Sequence, residues 1–325
     1  MLETRLTRLL GVQHPIVCGT MHLATGPEMV AAVANAGALG ILYTTGYETS
    51  GELRDGLRKV KSLTDRPFGA NINLFPGTRP TDVDRFIETL HSEGVRVIET
   101  SGRSPKDHVA RIKDAGCVFM HKVARVRDGV TASRLGADII EIVGYESGGH
   151  PGEDDISLMV QTQLLLREVE VPVVPAGGVV DGRGLVAMLA LGAEGVCMGT
   201  RFMATKECLI HDNVKNWILT ALAGDTVIVE RSLKNSMRVA RTSEALRLLD
   251  LEKDGASLEE LLAIAGGAQG RKALLAGELA TTGIVCVGET AGLINDVPTV
   301  HELIERTIAE AEAIVGRVCS LVRQG

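Results

Sequence analysis

The chain has 325 residues, 45% of them hydrophobic and 3% aromatic, with a formal net charge of −7. That length can bury a large core, and scattered basic residues on an acidic chain argue against a nucleic-acid surface or a basic membrane patch. So few aromatic residues leave no stacking platform for bases.

The first ten residues read as a short amphipathic lead-in, with charges throughout and no signal-peptide core. His14–Cys18 reads as a strand ending in Gly19-Thr20-Met21-His22. Pro27 opens a helix that Gly37 closes. Strand and helix then alternate: Leu39–Thr44, Glu52–Leu63, Phe68–Leu74, Val83–Leu90, Val95–Ser101, Lys106–Ala115, Cys117–Val123, Arg125–Leu135 and Asp138–Val143. A glycine-rich polar loop, Gly144–Asp155, precedes a helix at Ser157–Glu168. Pro172–Pro175 is a strand ending in Ala176-Gly177-Gly178. A helix with Leu185, Met188, Leu189 and Leu191 follows, and Gly195–Met198 is a strand ending in Gly199-Thr200. Eight strand signals alternating with helices predict a (β/α)₈ barrel, and the continuously apolar strands fit a parallel sheet covered on both faces.

After Thr200 the alternation stops. Asn213–Leu222, Ser243–Leu251, Leu258–Ala265 and Arg271–Ala276 read as helices, and Val300–Leu321 as the helix that closes the barrel. The expected organisation is a barrel formed by 1–206 plus 285–325, with a helical lobe, 207–284, inserted after strand eight as a lid over the site.

Two glycine turns at the carboxyl ends of neighbouring strands, around Gly177 and Gly199, suit a phosphate cradle, although each also reads as a plain tight turn. Lys122 ends an apolar strand, which requires an anion, a water-filled site or a nearby acidic partner. His150 lies between Gly148-Gly149 and Pro151-Gly152, where the chain can present an imidazole to a pocket for base or electrostatic work. The acidic residues after it, Glu153, Asp154 and Asp155, read as a solvated helix start. His22 and His121 read equally well as packed strand-end residues, and Cys286 as a buried thiol or a pocket residue.

The six cysteines (18, 117, 197, 208, 286 and 319) form no CxxC pair, which suits reduced thiols in a cytoplasmic protein. No run reaches the length of a membrane span. Metal-ligand spacing, a P-loop, a GxSxG elbow and a Rossmann GxGxxG are all lacking. A phosphate cradle without an obvious nucleophile points to a phosphate-bearing cofactor that supplies the chemistry.

The chain resembles the nitronate monooxygenase family, FMN-dependent (β/α)₈ barrels, along nearly its whole length. The carrying motifs are Pro15–Met21, Met29–Gly40, Arg66–Leu74, His121-Lys122, Gly148–Asp155, Pro175–Gly184 and Gly195–Phe202. The resemblance implies that Ala176, Gly177, Gly178, Gly199 and Thr200 hold the FMN phosphate, and that Gly19, Thr20, Met21, Asn71 and Lys122 line the flavin ring. It places His150 at the active-site histidine, with Glu146, Ser147, Gly148 and Gly149 in the adjoining loop. The chain departs from the family at His22, where a glutamine is common, and at Cys286, where a serine is common; both fall in the implied substrate pocket. The implied activity is oxidation of alkyl nitronates by O₂. Alternatives are NAD(P)H:quinone reduction on the same flavin, enoyl-acyl carrier protein reduction, or flavin binding without turnover. The implied partners are a nitronate or quinone, O₂, and NADH or NADPH as donor; a homodimer is compatible.

Overall fold

The computed structural model describes residues 2–75, 82–279, 281 and 283–321; residues 1, 76–81, 280, 282 and 322–325 of the expected barrel and lobe ranges lie outside them. Eight parallel strands close into a barrel: β1 (Ile16–Cys18), β2 (Leu39–Tyr43), β3 (Gly69–Asn73), β4 (Val97–Ser101), β5 (Val118–Val123), β6 (Ile139–Val143), β7 (Val173–Ala176) and β8 (Val196–Met198). Closure comes from β1 against β8, with Ile16 opposite Val196 and Cys18 opposite Met198. Each strand is followed by a helix, as the alternating pattern requires.

The two-residue period of a strand sorts the side chains. Val17, Ile41, Val97, Met120, Ile139, Val174 and Cys197 form one apolar cluster, which Leu6 and Leu10 of the helix Arg5–Leu10 join. The amphipathic lead-in therefore stoppers the barrel. The alternate residues Ile98, Phe119, Ile140 and Ile142 face outward, under Leu53, Leu57, Phe86, Ile87 and Leu90 from the surrounding helices. Each such buried aliphatic side chain contributes about 1.5–3 kcal/mol of transfer free energy.

The helix Val300–Ser320 buries Val300, Leu303, Ile304, Ile308 and Ala311 and packs against the helix Gly182–Leu191. Gly182 permits that approach, because a Cβ there would stand 2.5 Å from the backbone nitrogen of Ala311. The buried face stops at Ala311, and Val315 and Val318 near the helix end are exposed.

The sequence reads residues 207–284 as a helical lobe, and the structure adds a hairpin to it. Besides helices at Asp212–Thr220, Ser243–Lys253, Leu258–Ala265 and Gly267–Ala276, these residues hold an antiparallel hairpin of β9 (Thr226–Val229) and β10 (Met237–Ala240). Thr-Val-Ile-Val is a β-branched run, but four residues are too few for a clear alternation. Among the described residues no helix is long and apolar enough to cross a membrane.

Candidate active site

The carboxyl ends of the strands open into a cavity of about 860 Å³. Gly19, Thr20, Met21 and His22 after β1 line it, as do Asn71, Lys122, Ser147, Gly148, Gly149 and His150. Ala176 and Gly177 after β7, Gly199 and Thr200 after β8, and Cys286 complete the wall on that side. The two glycine turns are neighbours, since β7 pairs with β8 through Ala176 and Cys197. Two residues grouped with the site from sequence lie off this wall. Gly178 is exposed, in a left-handed conformation with φ +66°. Glu146 turns its carboxylate to the helix Leu158–Leu166, where it accepts from the Leu158 amide at 2.9 Å. It supplies the first-turn cap that Ser157 does not.

Lys122 has acidic partners. One layer above the apolar plug, the inward positions of β4, β5 and β6 are Glu99, Lys122 and Glu141, and register sets Lys122 opposite Glu141. Its ammonium lies 2.9 Å from Glu141 Oε1 and 3.6 Å from Glu99 Oε1; both carboxylates are fully buried. Glu99 also accepts from Thr20 Oγ1 at 3.0 Å and from Asn71 Nδ2. Asn71 therefore spends its amide on the cluster. Burial alone would lower the lysine pKa, but Glu141 and Glu99 reverse that and raise it, so Lys122 stays charged. Burial pushes Glu141 up to about 8, against the pull of Lys122 and with the help of the Glu99 charge. At neutral pH Lys122 therefore carries its charge, while burial draws Glu141 toward its protonated form.

His150 stands open to the cavity with its ring 6.4 Å from that of Phe75. The protein around it lowers its pKa, and Glu153 only partly opposes this, so the neutral imidazole prevails at pH 7. Gly148 brings this loop into close contact with the chain at Val287 and Gly288. A Cβ on Gly148 would fall 2.7 Å from the Gly288 nitrogen. His22 bonds Tyr43 Oη through Nδ1 at 2.9 Å, and burial lowers its pKa as well. His121 is a packed residue, bonded to Thr100 Oγ1 at 2.7 Å and lowered to about 4 by burial. The Cys286 thiol is reachable from the cavity, but burial raises its pKa to about 12, so it carries no thiolate at neutral pH.

The His150 loop is clasped by the hairpin, a relation the sequence did not show. Gly149 and Arg238 exchange backbone hydrogen bonds at 3.0 and 2.7 Å. Glu153 accepts from the Ser236 amide and hydroxyl at 2.9 and 2.6 Å, and Asp155 binds Arg231 at 2.9 Å. The acidic run is thus a clasp at both of these positions rather than a solvated helix start. Arg238 is its buried centre: it donates to Tyr145 O at 3.0 Å and Thr226 Oγ1 at 2.9 Å, pairs with Glu289 at 3.0 Å, and lies over the Tyr145 ring at 4.5 Å. An Arg238→Met variant is expected to lose about 2–3 kcal/mol in urea denaturation, because two buried acceptors and a carboxylate lose their donor.

Eight parallel strands, a paired glycine wall and a histidine loop on one cavity are the setting for comparison with known proteins. The sequence profile described as nitronate monooxygenase matches residues 3–310. The chain belongs to the nitronate monooxygenase family. Relatives with different names resemble it. A (3aS,4S,5R,7aS)-5-hydroxy-7a-methyl-1-oxo-octahydro-1H-indene-4-carboxyl-CoA dehydrogenase of Rhodococcus jostii is 34% identical, over 95% of this chain and 96% of its own. A probable nitronate monooxygenase of Staphylococcus haemolyticus is 30% identical, over 70% of this chain and 75% of its own. Among solved structures, FabK from Thermotoga maritima superposes with a TM-score of 0.91 at 35% identity, over 99% of this chain and 100% of its own. The chain is accordingly an oxidoreductase of this family.

Proposed function

We propose that the chain is an FMN-dependent oxidoreductase acting on a carbon acid, a C–H bond acidified by a neighbouring nitro or thioester group. The observation that carries this reading is that the β7 and β8 glycine turns and the neutral His150 line one cavity. The residues present fit a flavin phosphate. The turn after β8 offers backbone without bulk, since a Cβ on Gly199 would meet only Met21, its Sδ at 3.5 Å. Gly177, Gly199 and Thr200 are the groups that would hold the phosphate, with Gly19, Thr20, Met21 and Lys122 along the ring; FMN supplies a two-electron acceptor that O₂ can reoxidise.

In this reading His150 takes the substrate proton or holds the anion already formed, which its low proton affinity permits. Lys122, pinned by two carboxylates, keeps a fixed positive charge beside the ring. Residues 207–284 act as the roof: Met237, Leu274 and Ile284 face the cavity and would exclude water.

Alkyl nitronates, oxidised with O₂, are the substrates that the family name supports. A thioester substrate is the second reading, favoured by the CoA dehydrogenase whose likeness spans 95% of this chain and by the cavity size. Pockets for one drug-sized ligand span roughly 300–1,000 Å³, so this one sits near the upper end. Anaerobic mixing tests the proposal. Loss of the flavin colour with a nitronate or an acyl-CoA, and none with NADPH, is the expected result. Bleaching by NADPH alone would replace it with the quinone reductase reading, and a protein that neither carries nor takes up FMN would end it.

A further inference from the structure

The cavity has a second polar end that the flavin reading leaves unused. Arg103 follows β4, Arg125 follows β5, and Lys234 sits at the tip of the hairpin between β9 and β10. In a closed eight-stranded barrel β4 lies across from β8, so Arg103 faces the glycine turn after β8 from the opposite side of the mouth. Arg125 is paired with Asp128 at 2.8 Å. Arg103 and Lys234 are exposed and have no ion-pair partner among the described residues. Lys234 is held in the left-handed region, φ +52°, so the hairpin tip presents it from a fixed turn. Ser104 adds a neutral hydrogen-bonding group to the same wall, while Asn235 and Ser236 are engaged by Glu230 and Glu153. The chain as a whole is acidic, yet Arg103 and Lys234 line one cavity without an ion-pair partner among the described residues, which favours an anion there.

We infer that Arg103 and Lys234 form a second anion site that holds the diphosphate of a nucleotide-tailed substrate or electron donor across the mouth from the flavin phosphate. The inference rests on the flavin occupying the cradle, which leaves this end for a second molecule. A nitronate reacting at the flavin has no second anionic group for it. The nucleotide diphosphate of a CoA thioester and that of a nicotinamide dinucleotide share the required chemistry, a bridging diphosphate dianion set back from the reactive group.

The test is equilibrium binding of coenzyme A and, separately, of NADPH to the FMN-loaded full chain by titration calorimetry at two salt concentrations. An Arg103→Glu/Lys234→Glu variant is compared with a milder Arg103→Gln/Lys234→Gln variant. The expected result is that one of the two ligands binds, more weakly at high salt, and that charge reversal weakens it about tenfold or more while the glutamine pair loses less. Coenzyme A binding names the thioester as the source; NADPH binding names the donor. Binding of neither, or equal binding to wild type and both variants, overturns the inference. FMN released on denaturation is measured in each sample. Failure of the flavin reading appears there, as absent FMN in the wild type, and not as loss of nucleotide binding.

Discussion

Replacing His150 by alanine is expected to lower kcat/KM by about 10²–10⁴-fold with a neutral carbon acid, the range of general-base contributions. The FMN content should be unchanged, because the loop lines the cavity from β6 while the glycine cradle lies on β7 and β8. With a substrate supplied as its preformed anion the loss should be smaller, since no proton remains to be removed. The pH profile carries the sign. Surrounding protein lowers the proton affinity of His150, so the active neutral form persists below the ordinary value of 6.5. The acid limb of kcat/KM should therefore fall below that value in the wild type and vanish in the variant. A variant with full turnover and an unaltered profile would remove His150 from the chemistry.

Replacing Lys122 by methionine is expected to cost about 3–5 kcal/mol of stability, because it leaves the buried Glu99 and Glu141 side chains without their cation. In the wild type, Glu141 sets a separate pH dependence. Its folded pKa of about 8 lies above the ordinary 4.5, so the folded chain holds a proton that the unfolded chain has released between those values. That contribution is complete below about 4.5 and is lost as pH rises through 8. Glu141→Gln should flatten the stability curve in this window with Lys122 still charged. Urea midpoints from pH 5 to 9 decide the matter, and a curve in the variant parallel to that of the wild type would contradict the protonated Glu141.

The barrel was legible because each strand is a short apolar run closed by a turn and followed by a helical stripe. Glycines made the rim legible as well: Gly177 and Gly199 mark where backbone lies bare, and Gly148-Gly149 mark a chain bent to present His150. What the sequence hid depends on register and on partners distant in the chain. Glu99 and Glu141 look like isolated charges in apolar strands, and only the pairing of β5 with β4 on one side and β6 on the other sets them beside Lys122. The hairpin went unread because its strands have four residues each. Without the hairpin, the acidic residues after His150 had no visible partner, and Glu146 looked like a pocket residue because the amide it caps lies twelve positions away.

The clasp between residues 149–155 and the hairpin also constrains how this scaffold can diversify. The histidine is anchored by a segment that itself overhangs the mouth, so a change in the overhang that admits a bulkier molecule also shifts the imidazole. New substrate ranges are then reached by exchanging loop and hairpin as one unit, while the barrel and its glycine wall are inherited unaltered. A graft of the hairpin alone from a relative would arrive without its acidic counterparts and leave the histidine loop untethered.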